Sequence, residues 1–395
     1  MPVENKNLIM ASTSLITVPT AEGNTEQFKI VESSVMQPKL AARYPGIKTY
    51  IGKGIERPDA EIRFAYTTLG FFATVASADK PKYYINCLDK NENIYIVNAY
   101  NVQDKTDEDF RCSVDGSSIT GKPEGLPTPF KGNADDGKLR TYVLALCTTG
   151  EFSRYFMTGS EVTTEDSLAT VMSALTTTLI RVNGIYERDF SIRLVFTEKE
   201  DDIIFLNPAT DPFTTFKAPE LNSASQQSCD TKIGFLNYDI GHVVHRGASQ
   251  GNAGCIGCVC KAGSKGSGWT IYTNPKLDYF VDNYLSHEFG HQFGGNHIFT
   301  FSNEGTGANV EPGSGSTVMG YAGITGNTDI QDHGDPYFSA VNIAQISNYI
   351  KTGFGATCDE PTETGNSAPS LVTPLNDYTI PRLTPFQIKG EFTDN

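Results

Sequence analysis

The segment from His287 to His297 constrains this chain more than any other, because it holds three of the six histidines within eleven positions. Residues four apart lie one above the other on a helix, so the imidazoles of His287 and His291 can reach one metal ion from the same face. Glu288 points beside such an ion, where its carboxylate can accept a proton from bound water. The spacing therefore predicts a helix that carries a metal site.

The residues after this helix supply a third ligand. Gly294 follows His291 by three positions, where a glycine can adopt the left-handed conformation, end the helix and turn the chain back toward the ion. His297 then contributes the third nitrogen. Three protein ligands leave one position of a tetrahedral Zn²⁺ open for water, which is typical of catalytic rather than structural zinc. A helix whose histidines merely pack would explain the first two histidines but not the added glycine and third histidine.

At these residues the chain resembles the metzincin metallopeptidases, whose pattern HExxHxxGxxH is followed downstream by a methionine turn. The segment 316–321, Ser-Thr-Val-Met-Gly-Tyr, matches that turn. The resemblance implies that Met319 packs beneath the metal as a support residue. It also implies that Tyr321 hydrogen-bonds the oxyanion that develops during catalysis, although simple packing explains a tyrosine here equally well.

The longer stretch through 311–315 to 335–338 resembles the reprolysin-like metalloproteases that bacteria secrete. This resemblance covers about residues 138–358, and the N-terminal unit is similar to the propeptide of such enzymes. It implies an α/β (α+β) metzincin fold with a twisted mixed sheet and an active-site helix, and a secreted zinc endopeptidase, in a zymogen-like form, that acts on polypeptides. One departure leaves the subfamily open: typical reprolysins have Asp after the third histidine, and this chain has Ile298.

Patterns of β-forming residues at 15–18, 28–31, 62–66 and 83–85 predict a small β-rich, propeptide-like domain over residues 1–115. Residues 116–137 are rich in Gly, Pro, Ser and Asp, which favours an exposed linker. A strand at 141–146, helical periodicity through 168–182 with Thr163 or Thr164 as N-cap, and a strand at 191–196 open an α/β catalytic domain over 138–360. Further helices are expected at 279–294 and 340–350.

Residues 361–395 are rich in Pro and Thr, and predict either a linker or the start of a truncated, Ig-like β domain with strands at 378–380 and 386–388. The chain opens with Met-Pro-Val-Glu-Asn-Lys, which lacks the features of a signal peptide. If the protein is exported, we expect its leader to be missing from this sequence.

The formal net charge of −15 indicates that nucleic acid and acidic membrane surfaces would be repelled. The longest apolar runs, such as 8–10 and 143–146, are far shorter than the ~20 residues of a membrane span, so we expect no membrane insertion. The eight cysteines fit oxidised pairs in a secreted protein.

The cysteines allow several interpretations. Cys255, Cys258 and Cys260 favour a compact disulfide knot over half a structural zinc site, because no second CxxC follows. Cys112 is expected to pair with Cys87, both being in the N-terminal unit. The alternatives are a Cys112 thiolate that occupies the open zinc position, or an N-terminal unit that blocks the cleft sterically, as possible forms of intramolecular inhibition.

Weaker candidates lie elsewhere. His242, His245 and His333 have no ligand spacing and are expected to be structural or exposed. Asp329, Asp332 and Asp335 form an acidic loop that could bind Ca²⁺ or be a solvated turn. Two functional alternatives also stay open: a non-catalytic extracellular binding or adhesion module with a structural metal, and a latent zymogen activated by a cut within 131–140.

Overall fold

The computed structural model describes residues 6–100, 110–114, 136–276, 278–366, 369–372, 377–387 and 389–393. Its α-helices are α1 Lys6–Ala11, α2 Pro38–Arg43, α3 Gly150–Phe156, α4 Thr164–Phe190, α5 Glu220–Ser228, α6 Ser286–Gln292 and α7 Ala340–Thr352. Its strands are β1 Leu15–Pro19, β2 Thr25–Glu32, β3 Lys48–Gly54, β4 Glu61–Thr67, β5 Gly70–Ala76, β6 Tyr83–Asp89, β7 Ile94–Ala99, β8 Arg111–Cys112, β9 Lys138–Thr148, β10 Ile192–Phe196, β11 Ile240–Arg246, β12 Gln250–Asn252, β13 Gly268–Tyr272, β14 Glu360–Glu363, β15 Ser370–Leu371 and β16 Phe392–Thr393.

The N-terminal unit is a seven-stranded sheet in which β1 to β7 follow one another in sequence order, each antiparallel to the next. One set of side chains, including Phe28, Ile62 and Val75, forms a separate small core. Burial of alternate side chains is what an antiparallel sheet with one covered face requires. The four strands expected from sequence are present as β1, β2, β4 and β6.

The larger unit contains a mixed sheet in the order β10-β9-β11-β13-β12-β8, with β14 also paired to β9. The pairs β10–β9, β9–β11 and β11–β13 are parallel, while β12 is antiparallel to β13. Strands β11 and β13 are buried along almost their whole length, as expected for parallel strands with both faces covered. This confirms the expected α/β fold with a mixed sheet.

Helix α4 supports one side of this unit. The Thr163 side chain accepts a hydrogen bond from the Asp166 amide and the Asp166 carboxylate accepts one from the Thr163 amide, which caps the helix as the sequence predicted. Among the described residues, α4 is the one helix long and apolar enough to cross a membrane by length and composition, yet 83% of its apolar window is buried in the protein. A core helix passes the same test, so the absence of membrane insertion stays a prediction.

The helix that carries the first two histidines lies deep in the structure. A π-helical turn, Phe280–Leu285, runs directly into α6, and every residue of α6 is buried. Phe289 on α6 packs edge-on against His242 of β11 and Tyr186 of α4. The sheet and α4 therefore fix α6 from two sides, which gives its polar side chains a defined position.

The expected disulfide knot is confirmed by two bonds, Cys255–Cys258 and Cys260–Cys358. The second one ties the chain beyond α7 to the cysteine-rich loop. Within that loop the amides of Gly257 and Cys258 donate to the last carbonyls of α6, at His291 and Gln292, each over 2.9 Å. The loop thus provides hydrogen-bond donors for carbonyls at the C-terminal end of α6 that have no partner within the helix.

Two expectations for the C-terminal segment need correction. Residues 378–380 and 386–387 form no strand. The side chains of Tyr378 and Phe386 are 80% and 71% exposed, so these segments do not pack an apolar face against the described part of the protein. Residue 388 lies outside the described residues. The strand β14 instead pairs with β9, which places residues 360–363 in the larger sheet. Most of the expected linker, residues 116–135, also lies outside the described part of the chain.

Candidate metal centre

The three histidines converge as the sequence predicts. The Nε2 atoms of His287, His291 and His297 lie 3.0 to 3.2 Å from one another, and all three side chains are buried. Nitrogens at this spacing can each lie about 2.0 to 2.1 Å from one Zn²⁺. The donor set therefore fits a single zinc ion.

The hydrogen bonds of Nδ1 in His287 and His291 explain why the Nε2 atoms of these two rings are available. The Nδ1 atoms of His287 and His291 donate to the carbonyls of Val318 and Gly295, both over 2.8 Å. Burial, together with the neighbouring histidines, lowers the pKa of His287 to about 3 and that of His291 well below its ordinary value. Neutral rings with the proton on Nδ1 present their Nε2 lone pairs to one point, which is the arrangement a cation satisfies.

Glu288 lies beside this point and is fully buried. Among the described residues, neither of its carboxylate oxygens has a partner that meets hydrogen-bond geometry. Burial raises the pKa of Glu288 to about 8, against the smaller opposing effects of Cys112 and the Ala253 amide, and a bound cation would bring it down. The backbone of β12 approaches so closely that a Cβ at Gly251 would lie 2.1 Å from the carboxylate. Glu288 is thus a buried carboxylate held between α6 and the edge of the sheet.

The turn after α6 has the predicted form. Gly294 has a φ of +96°, and its amide donates to the His291 carbonyl over 2.9 Å, so the helix ends there and His297 returns to the site. Met319 is fully buried with its sulfur against Gly290 of α6, where a Cβ would lie 2.5 Å from it. Both placements fit the supporting positions that the sequence predicted for Gly294 and Met319.

Tyr321 also lies in the site. Its hydroxyl is 3.1 Å from Nε2 of His297, and its ring packs against those of His297 and Phe299, with centroid distances of 4.8 and 4.6 Å. Burial, with the charges of Cys112 and Glu288 adding, raises its pKa well above the ordinary value. A neutral phenol at this position can donate a hydrogen bond to an anionic oxygen.

The expected Cys87–Cys112 disulfide is wrong, because neither of these described cysteines is bonded to another. The sulfur of Cys112 lies instead 3.6 Å from Nε2 of His291, and the four potential ligand atoms of Cys112, His287, His291 and His297 all lie within 4.8 Å of one another. The reason is long-range: β8 pairs with β12 and carries Cys112 over the histidines. Burial raises the pKa of the Cys112 thiol well above its ordinary value, and Glu288 adds to this. A bound cation would lower that pKa.

Phe110, two residues before Cys112, fills a pocket beside the histidines. Its ring is 3% exposed, stacks on Tyr284 with a centroid distance of 4.1 Å, and meets His287 edge-on. The remaining cavity of about 20 Å³ is bounded by Phe110, Tyr284, His287, Val318, Tyr321 and Ile324, among others. The N-terminal segment therefore occupies both the ligand position and an adjacent side-chain pocket.

Buried ion pairs join the N-terminal unit to two elements of the larger unit, the π-helical turn that leads into α6 and helix α4. The Lys82 ammonium lies 3.0 Å from both oxygens of Asp282, which also accepts a hydrogen bond from the Tyr84 hydroxyl. Arg63 of β4 reaches Glu187 of α4 over 2.9 Å. The side chain of Asp282 is fully buried and that of Lys82 is 10% exposed. Charges desolvated in this way hold the two units in one defined arrangement.

The weaker candidates do not join the site. His242 is hydrogen-bonded to Gln292 and Thr270, His245 is hydrogen-bonded to Thr149, and His333 stacks on Tyr279, so all three are buried structural residues. The acidic loop, Asp329, Asp332 and Asp335, is not brought together as a set of metal ligands within the described residues. Ca²⁺ binding there stays a prediction.

Three features of the site were missed from sequence: the close approach of Gly251, the pocket that Phe110 fills, and the hydrogen bond from Nδ1 of His297 to the Glu304 carboxylate, which is 3.0 Å long. Phe110 and Cys112 are two residues apart, so on a strand their side chains lie on the same face, and this spacing was the available signal.

A mixed sheet backed by helices, a buried helix with two metal-facing histidines, and a third histidine after a glycine turn define a zinc metallopeptidase of the metzincin type. The model of the metallo-peptidase family M12B, reprolysin-like, matches residues 138–350, more than half of the chain, and the protein belongs to this family. No match was found among curated proteins. Membership makes the protein a peptide-bond hydrolase with polypeptide substrates, and the family implies zinc as its metal.

Proposed function

We propose that this protein is a secreted, zinc-dependent endopeptidase that its N-terminal unit holds latent. His287, His291 and His297 hold the zinc, Glu288 is the general base, and Tyr321 stabilises the oxyanion. Met319 and Gly294 support the ligand geometry from beneath α6 and from the turn. The observation that carries the proposal is the convergence of three Nε2 atoms beside a buried carboxylate that makes no hydrogen bond to a described residue.

When bound, Zn²⁺ supplies Lewis-acid polarisation of the attacking water and of the scissile carbonyl. Glu288 accepts the proton of that water as attack begins, and it delivers the proton to the departing amine. Its burial supports this role, because a carboxylate that is shielded from bulk water exchanges its proton with the reacting groups instead of with solvent. The Tyr321 hydroxyl donates a hydrogen bond to the tetrahedral oxyanion. This role is supported by the position of the hydroxyl, which lies beside the metal-facing nitrogen of His297.

Endopeptidase activity requires an extended polypeptide to lie across the site, and β12 offers an edge for it. In the latent form this edge is occupied by residues of the N-terminal segment: β8 pairs with β12, and the Ser113 amide donates to the Gly251 carbonyl over 2.8 Å. The unpaired groups of an edge strand readily bind another strand. We infer that substrate takes the same edge once the segment has left.

Latency follows from the same contacts. Cys112 offers a sulfur where the fourth ligand would bind, and Phe110 fills the neighbouring pocket. Activation then needs a cut between β8 and β9. Residues 138–140 belong to β9, and the buried Arg140 pairs with Asp136 and Asp359. Because a protease needs an accessible segment, we place the cut before this strand, within residues 115–135.

A second candidate, a non-catalytic binding module with a closed structural metal, is favoured by one observation: Cys112 completes a set of four ligands. One fact opposes it: Cys112 lies outside residues 138–350, which the family model matches. A cut in the segment 115–135 would also distinguish the two candidates, because it would leave Cys112 on a separate fragment. A binding module would keep all four ligands after such a cut, whereas a latent peptidase would lose the sulfur.

Secretion is supported by the two disulfides, since such bonds persist in oxidising compartments. The negative net charge fits an acidic extracellular enzyme. Ca²⁺ binding by the acidic loop is a separate proposal, for which calcium titration of thermal stability is the test.

Casein cleavage by the protein cut in the 115–135 segment tests the function directly. We expect cleavage that a zinc chelator abolishes and added Zn²⁺ restores, and a loss of at least ~100-fold in Glu288→Ala, the scale of general-base catalysis. Glu220→Ala is the matched control, because it removes an exposed carboxylate on α5. Zinc content should be unchanged in both variants. Appreciable cleavage by Glu288→Ala, or activity that survives complete removal of zinc, would overturn the proposal.

A further inference from the structure

The third histidine differs from the other two in what holds its ring. Nδ1 of His297 donates to the carboxylate of Glu304, at 3.0 Å from Oε1 and 3.1 Å from Oε2. In His287 and His291 the same nitrogen donates to a neutral backbone carbonyl. One ligand of the three is therefore paired with a negative charge.

The position of His297 makes such a partner useful. His287 and His291 are fixed by α6, whereas His297 follows the turn at Gly294 and lies in no helix or strand. Its following residue, Ile298, is apolar and fully buried, so it offers the ring no hydrogen bond. The ring also stacks on Phe299, and the Tyr321 hydroxyl lies 3.1 Å from its Nε2, the nitrogen that faces the other two histidines. Glu304 is therefore the partner of the nitrogen that faces away from the metal site.

The loop that carries Glu304 is built to present it. Asn303 accepts a hydrogen bond from the Gly305 amide over 2.8 Å, and Gly305 and Gly307 adopt φ values of +71° and +74° that favour glycine. The Glu304 side chain is 22% exposed, so it is partly withdrawn from water while it contacts His297. A hydrogen bond to a carboxylate is stronger than one to a neutral carbonyl.

We propose that Glu304 is a positioning residue for the metal centre. Its carboxylate keeps the proton of His297 on Nδ1, directs the Nε2 lone pair to the zinc and makes this nitrogen a stronger ligand. The loop that follows the third histidine thus sets metal affinity. This rests on the proposed zinc site, because Glu304 has this role only if His297 binds zinc.

The test is the zinc dissociation constant of the full chain, measured at one pH by competition with a chromophoric chelator. Glu304→Gln keeps the size of the side chain but removes its charge, and we expect affinity to fall by about 10- to 100-fold. The melting temperature of the metal-free protein should not change, whereas a purely structural role would lower it. Glu304→Asp should recover part of the affinity, and Glu220→Gln should behave as the wild type.

Unchanged zinc affinity in Glu304→Gln, or a loss explained by a lower melting temperature of the metal-free protein, would overturn the role of Glu304. The variant His287→Ala separates this from failure of the zinc site itself. If His287→Ala binds zinc as tightly as the wild type, the metal is held elsewhere, and the proposed function fails with it. If only His287→Ala loses affinity, the site stands and Glu304 has no part in it.

Discussion

The sulfur of Cys112 lies 3.6 Å from Nε2 of His291, although 179 positions separate the two residues in the chain. This contact brings a residue of the N-terminal segment into the ligand set of the metal site. Under the proposed function, the unit that carries the histidines provides the chemistry, and the segment that carries Cys112 controls access to it.

Replacement of Cys112 by Ser should make the uncut chain more active. The hydroxyl is a much weaker zinc ligand than a thiolate, so water can reach the open position more often. We expect kcat/KM of the intact chain on a casein peptide to rise by about tenfold or more, equivalent to about 1.4 kcal/mol.

Cys87→Ser is the matched control, because Cys87 is also unbonded in the N-terminal unit but lies outside the ligand set. It should leave the activity of the intact chain unchanged. An intact Cys112→Ser protein as inactive as the wild type, alongside an active cut protein, would assign latency to steric blocking alone.

Loss of the Lys82 ammonium should loosen the N-terminal unit. Lys82→Met leaves the fully buried Asp282 without its cation, and removing one member of a buried pair costs roughly 3 to 5 kcal/mol. After the linker is cut, this cost should appear as weaker binding between the two fragments in calorimetry. Lys80→Met removes a half-exposed pair with Glu22 and should change binding by less than about 1 kcal/mol. Equal effects of the two variants would contradict the interface described above.

Acid should destabilise the fold through Glu187, which pairs with Arg63 of the N-terminal unit and with Arg193. Burial raises its pKa, but Arg193 and Arg63 outweigh this and lower the pKa of Glu187 to about 2. A carboxylate whose folded pKa lies below its unfolded value of about 4.3 stabilises the protein fully above that value, and this stability is lost as the pH falls toward 2.

The free energy of unfolding, measured in urea at pH 6, 4 and 3, checks this effect. It should fall with pH in the wild type and fall less steeply in Glu187→Gln. Glu32→Gln, which removes a half-exposed pair with Lys48, should keep the wild-type slope. Parallel curves for wild type and Glu187→Gln would show that this carboxylate makes no such contribution.

The pocket that Phe110 fills predicts a preference for large aromatic side chains in the substrate. Stacking on Tyr284 favours a planar ring, and a cavity of about 20 Å³ borders the ring of Phe110. In a peptide library digested by the cut protein, we expect aromatic residues next to the scissile bond to be favoured over Ala by at least about tenfold. Tyr284→Ala should reduce this ratio. Cleavage without any such enrichment would show that Phe110 is not a guide to specificity.

The convergence of the three histidines could be predicted because its determinants are local: the spacing of His287, His291, Gly294 and His297 encodes a helix, its end and the returning chain within eleven residues. The same holds for α4, whose cap and periodicity lie in one continuous segment. Strand β3 was missed because Gly52 and Lys53 interrupt its apolar pattern. Strands β5 and β7 contain runs of β-forming residues, at 71–75 and 94–97, that would have allowed their prediction.

The sequence could not decide whether Cys112 forms a disulfide or lies at the metal site, because its position depends on the pairing of β8 with β12, a contact between distant segments. Sequence proximity favoured Cys87 as its partner, whereas the sheet places it at the histidines. The strand predicted at 378–380 was wrong because a local β-forming pattern needs a partner surface: among the described residues, the side chains of Tyr378 and Ile380 stay 80% and 44% exposed.

X-ray absorption at the zinc edge, on the full chain and on the cut chain after the N-terminal fragment is removed, tests the central claim most directly. We predict three nitrogen ligands and one sulfur ligand in the full chain, and three nitrogens and one oxygen after removal. A full chain without sulfur coordination, or fewer than three histidine nitrogens in either form, would contradict the proposed site.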